Sequence, residues 1–68
     1  METFEIQGDF IQLNQLLKVL NWCESGAQAN SVIEEGFVKV NGKVELRKRN
    51  KLVKDTLIEF DGNKVKLI

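Results

Sequence analysis

The sequence predicts a single α+β domain over residues 1–68, with a helical hairpin packed on a small antiparallel sheet. Three observations predict it. Up to Gly36 the apolar residues recur at helical spacing in two short runs. After Gly36 they alternate, in short runs split by Asn41-Gly42 and Asp61-Gly62. The chain has 68 residues, and a domain of that size removes only about 60% of its unfolded surface from water. Both layers must therefore share one compact core, which leaves no room to enclose a large substrate cavity as well.

The first element is a short strand over residues 3–6, where Phe4 and Ile6 alternate with Thr3 and Glu5. Gly8 and Asp9 end it. Asp9 is the expected cap of the first helix, with Phe10 and Ile11 following. Leu13, Leu16, Leu17 and Leu20 then lie at i, i+3, i+4 and i+7 and form the buried stripe. Gln12, Asn14, Gln15 and Lys18 make the polar side, and Lys18 suits the negative end of the helix dipole. Residues 21–24 connect to the second helix. Trp22 and Cys23 are assigned to packing there, with stacking on a base as the alternative for Trp22.

Ser25 caps the second helix, and Gln28 stands where a capping box places Glu or Gln. Ala29, Val32 and Ile33 face the core, while Gln28, Asn30, Ser31 and Glu35 face out. Gly36 suits the left-handed residue that ends a helix. Glu34 and Glu35 oppose the helix dipole there, and no pattern in the sequence explains them.

Residues 37–40 alternate, and Asn41-Gly42 signals a hairpin. A two-residue turn sets Val44 opposite Lys39. A turn with a glycine bulge sets Val44 opposite Val38, and alternation of apolar residues favours the bulge. Phe37 falls on the face opposite Val38 and Val40, available either to cover the helices or to meet a ligand. Residues 47–51 (RKRNK) are too charged to be buried, and Leu52 and Val53 return to the core. Asp55 starts a turn, residues 57–60 form a strand, residues 61–63 turn again, and residues 64–68 close the sheet with Val65 and Leu67 on one face.

Several function classes fall away on composition. The chain has no histidine, so it has no Ser-His-Asp or Cys-His unit, and Cys23 alone cannot bind structural zinc. The five glycines are scattered and build no phosphate loop. No enzymatic activity, metal or other cofactor is expected. A single cysteine allows no intrachain disulfide and favours a reducing, cytoplasmic setting. The N-terminus lacks a basic region followed by an apolar run, and no apolar run approaches the length of a membrane span. A monomer without membrane partners is expected.

Charge carries the remaining signal. Net charge is zero. Residues 39–54 nevertheless hold seven bases (Lys39, Lys43, Arg47, Lys48, Arg49, Lys51, Lys54) against one acid, Glu45, for a local +6. Residues 1–38 carry −5. A neutral chain with such a segment can present one anion-binding face. Arginine forks onto phosphate oxygens, lysine supplies point charge, and a helix N-terminus at Ser25 adds backbone donors. The same loop could instead dock an acidic protein.

The ordered set Ser25, Ala29, Ile33, Gly36, Val38, Val40, Asn41, Gly42, Arg47, Lys51 and Leu52 resembles the alpha-L RNA-binding motif, the domain named after ribosomal small-subunit protein four. Its pattern is a serine-capped helix with small residues, then G-x-V-x-V-N-G, then a basic segment ending in Lys-Leu. With SGAQA and RKRxKL it looks most like the stand-alone bacterial YbcJ-like group. The resemblance covers roughly residues 13–60. It implies a non-catalytic module that grips structured RNA, ribosomal or transfer RNA among the candidates, by backbone and shape. Carried over by position, the implied RNA contacts are Ser25, Gln28, Asn30, Lys39, Lys43, Arg47, Lys48, Arg49 and Lys51. Two departures stand out. The second helix has no arginine or lysine, and Asp55-Thr56 replaces the usual Gly-Asp turn.

Overall fold

The computed structural model describes residues 2–68. Nine elements follow in order: β1 (Glu2–Phe4), β2 (Ile11–Gln12), α1 (Leu13–Val19), α2 (Gly26–Glu34), β3 (Val38–Val40), β4 (Lys43–Val44), β5 (Lys51–Leu52), β6 (Leu57–Phe60) and β7 (Asn63–Leu67). Five strands form one sheet in the order β1-β7-β6-β3-β4, and β2 and β5 form a separate two-stranded ribbon. The two helices pack on the large sheet, and the predicted α+β class holds.

The core joins the two periodicities. Leu13, Leu16 and Leu17 of α1 and Ala29 and Ile33 of α2 are fully buried, together with Val38, Ile58, Val65 and Leu67 of the sheet. Leu20, Trp22 and Val32 are partly buried against this cluster. Both helices end in the same way. Gly36 has φ +84, its N–H donates to the Ile33 carbonyl, and Phe37 N–H donates to Val32. At the end of α1, Asn21 takes φ +61 and donates to Lys18, while Trp22 donates to Leu17. These are paired Schellman closures, one with glycine and one with asparagine in the left-handed position. They place Trp22 and Phe37 one residue past the left-handed positions. Trp22 packs on the core, whereas Phe37 is 60% exposed.

The structure corrects the sequence expectations at six points. The large sheet is mixed, because β1 pairs in parallel with β7. The intervening chain provides the long crossover that parallel neighbours require. The first strand is Glu2–Phe4 rather than residues 3–6, and Ile6 lies beyond it, buried, with its N–H on the Ile68 carbonyl. Asp9 does not cap α1. Ile11 and Gln12 are drawn into the ribbon opposite Leu52 and Lys51, so the helix starts later, after Gln12, with no side-chain cap.

The hairpin turn is the two-residue one. Lys39 faces Val44 and Val40 faces Lys43, with Asn41 at φ +52 and Gly42 at φ +84. Two left-handed residues make the turn whose twist matches that of the strands, and this outweighs the apolar alternation that favoured a bulge. Asn41 reinforces it by accepting from Leu57 N–H at its Oδ1 (3.0 Å). Val44 is left exposed but lies near Gly36, where an added Cβ would stand 3.7 Å from Val44 Cγ1. Val53, just past the end of β5, does not return to the core and is 54% exposed, because Leu52 turns inward and an extended chain sends the next side chain outward. Asn63 opens β7 instead of belonging to the turn, since Asp61 and Gly62 repeat the two-residue left-handed turn between Phe60 and Asn63. Asp55 adopts φ +72, so an aspartate supplies the left-handed residue where a glycine would be usual.

Candidate nucleic-acid interface

The basic loop is built on the start of α1. Arg47–Asn50 closes as a turn, with Asn50 N–H on the Arg47 carbonyl at 3.1 Å, which places Lys48 and Arg49 at its tip. The Lys48 carbonyl accepts from Asn14 N–H and the Asn50 carbonyl from Leu13 N–H, both at 2.9 Å. The loop main chain thus satisfies donors at the start of α1 that a side-chain cap would otherwise serve. Lys51 and Leu52 then pair with β2. The turn is held from both sides before any ligand arrives.

Glu45 is the second anchor. Its carboxylate accepts from Arg47 N–H (3.0 Å), Arg47 Nε (3.1 Å), Arg47 Nη2 (3.1 Å) and Asn50 Nδ2 (2.9 Å). The Glu45 side chain is only 14% exposed, whereas that of Arg47 is 75% exposed. The Arg47 hydrogen bonds hold the Glu45 carboxyl below the usual carboxylate range, and Glu45 in turn raises the Arg47 guanidinium. A carboxyl depressed in the folded state binds fewer protons than in the unfolded chain. It therefore contributes stability above the ordinary carboxylate pKa, and that stability is lost as pH falls through the folded value. Glu45→Gln should accordingly remove part of the stability loss that the wild type shows between about pH 7 and about pH 3. Urea midpoints measured along that pH series check this; equal pH dependence in both proteins would contradict it.

The implied contact residues separate into groups. Arg47, Lys48, Arg49 and Lys51 lie together on the loop, and a shallow cleft runs along Arg47, Arg49, Asn50 and Lys51. Lys48 pairs with Glu34 at 3.5 Å. Among the described residues Arg49 has no ion-pair partner. Asn30 reaches this group indirectly, because its Oδ1 accepts from Asn14 Nδ2 at 2.9 Å and Asn14 N–H holds the Lys48 carbonyl. Ser25 and Gln28 lie at the other end of α2, about 13 Å and about 9 Å from Glu34 along the helix axis. Their side chains serve the helix start. Ser25 Oγ accepts from Gln28 N–H at 3.1 Å. Gln28 Oε1 accepts from Glu24 N–H, one residue before the position a capping box uses. Lys43 is exposed on β4. Lys39 alternates with buried Val38 and so projects from the sheet away from the helices, lining a recess with Phe37, Glu59, Phe60 and Lys64. The structure therefore brings three of the implied residues onto one turn with Lys51 beside it, ties Asn30 to it, and leaves Lys39 on a different face.

Sequence reasoning missed Glu45, Asn14, Asn50, Glu34 and Phe10. Glu45 was discoverable as the one acid within the +6 segment, two residues before Arg47. Glu34 had no explanation until folding placed Lys48 beside it. Phe10 lies under Lys51, whose Nζ is 4.9 Å from the ring centroid. Cys23 is buried, which pushes its thiol up and fits packing. No helix is long and apolar enough to cross a membrane, judged on the described residues.

Comparison with known proteins finds similar chains over the whole length described. The family model described as S4 domain matches residues 4–68. A protein of Escherichia coli (strain K12) named YbcJ, provisionally described as RNA-binding, is 45% identical over 69 residues, covering 100% of this chain and 99% of its own. An uncharacterized YbcJ of Shigella flexneri matches to the same extent. The solution structure of YbcJ from E. coli superposes with a TM-score of 0.75 at 45% identity, covering 100% of this chain and 87% of that one. That structure is described as revealing an αL motif involved in RNA binding.

Proposed function

The chain belongs to the S4 domain family, and on that premise we propose that it is a non-catalytic RNA-binding protein. It acts as one domain over residues 1–68, as a monomer in the cytoplasm. It holds structured RNA, of ribosomal or transfer type, by backbone and shape. One observation carries the proposal: the turn Arg47–Asn50 is fixed by main-chain bonds to α1 and by Glu45, and it exposes basic side chains with Lys51 beside it. Phosphate contacts position a protein without reading bases, and RNA helices are recognised mainly by shape and 2′-hydroxyls. A preformed cationic turn suits that mode, because little ordering entropy is lost on binding.

Binding of this kind releases counterions. With about four phosphates neutralised, a tenfold rise in monovalent salt should weaken binding to an RNA stem-loop by roughly three decades. Fluorescence anisotropy titrations at several salt concentrations measure the slope. An affinity independent of salt would contradict the mechanism, and tight salt-sensitive binding to an acidic protein but not to RNA would replace it with a protein-docking role.

A further inference from the structure

We propose that the solvent face of the β2–β5 ribbon is a stacking site for an unpaired base of the bound RNA, with Phe10 as its platform. This rests on the RNA-binding reading above and adds the class of RNA: a helix carrying an unstacked nucleotide next to the gripped backbone. The ribbon register pairs Ile11 with Leu52 and Gln12 with Lys51. Continued by one step, it sets Phe10 opposite Val53. Alternation then puts Phe10, Gln12, Lys51 and Val53 on one face, while Leu52 turns into the core.

Two large apolar side chains of that face stay exposed to solvent. Phe10 is 41% exposed and Val53 is 54% exposed, although the adjacent ribbon residue Leu52 is buried. Lys51 links this face to the shallow basic cleft. Its ammonium stands 4.9 Å from the Phe10 ring centroid, and Lys51 also lines the cleft with Arg47, Arg49 and Asn50. A nucleotide has the matching chemistry: its phosphate draws the Lys51 ammonium off the Phe10 ring, its π face takes the place of the ammonium on the ring, and its polar edge meets a face that also carries Gln12. The occupant follows from this continuity, since Lys51 belongs both to the basic cleft and to the Phe10 face.

The test compares two RNAs that share one stem, a blunt duplex and the same duplex with a single bulged adenine, against wild type, Phe10→Leu and Phe10→Trp. Circular dichroism melts confirm that each variant folds. Wild type is expected to favour the bulged duplex by about tenfold, the scale of one base–aromatic stack. Phe10→Leu should lower that ratio to about one, and Phe10→Trp should keep or raise it. A wild type with no preference, or a Phe10→Leu variant that keeps it, overturns the stacking site while leaving the RNA-binding reading intact. If wild type binds neither RNA, the parent reading fails, and the stacking site with it.

Discussion

Replacing Arg47 and Arg49 together with alanine is expected to lower affinity for structured RNA by about two orders of magnitude without unfolding the domain. A charge-assisted hydrogen bond contributes roughly 1.5–3 kcal/mol, so two independent arginines would give at least a hundredfold. The two are not equal. Arg47 already spends Nε and one Nη2 proton on Glu45, whereas Arg49 has no ion-pair partner among the described residues. Arg49→Ala alone should therefore cost more than Arg47→Ala alone. Both side chains are exposed, and the loop main chain holds the start of α1 through the Lys48 and Asn50 carbonyls, which neither substitution removes. Anisotropy titration with circular dichroism as the fold control measures both effects. A double variant within threefold of wild type would remove the turn from the binding site.

The second large effect is on stability. Ile33→Ala should destabilise the protein by about 2–5 kcal/mol, since truncating a fully buried aliphatic side chain leaves a cavity. A domain of 68 residues has only about 3–10 kcal/mol in total. The variant should unfold at markedly lower urea or be partly unfolded at room temperature. RNA binding should fall with it, because α2 carries Asn30 and Glu34, which lead to the loop through Asn14 and Lys48. A loss under about 1 kcal/mol would contradict the burial of Ile33 at the helix–sheet junction.

The fold class was legible because it depends on periodicity. The leucine stripe, the Ala29–Ile33 stripe and the alternating strands around Val38, Ile58 and Val65 all became core. Gly36 and Ser25 also behaved as their types predict. Where a long-range partner decided the local outcome, the sequence could not show it. Asp9 is a good cap by type, yet the loop carbonyls of Lys48 and Asn50 serve the start of α1, and Ile11 is captured by Leu52. The hairpin register went to turn twist over apolar pairing, and β1 joined in parallel because its partner lies at the far end of the chain.

The candidate site divides in the same way. The basic turn was visible as local composition, from Arg47 to Lys51. Its supports were not, because Asn14, Asn30 and Glu34 look like ordinary polar helix surface until folding brings them to the loop. Ser25 and Gln28 are polar residues at a helix start with two readings, and here their side chains bond within the cap. Lys39 counted toward the charge cluster in sequence but lies on the outer face of the sheet.

Titration of isotope-labelled protein with an RNA stem-loop, followed through backbone amide chemical shifts, tests the central claim most directly. The preformed turn predicts that the largest shifts fall on residues 47–51 and on Leu13 and Asn14, whose amides donate to the loop carbonyls. Gly26 and Ala27 at the start of α2 should move little. Large shifts at the start of α2 or on the outer face of the sheet, with residues 47–51 unmoved, would contradict it.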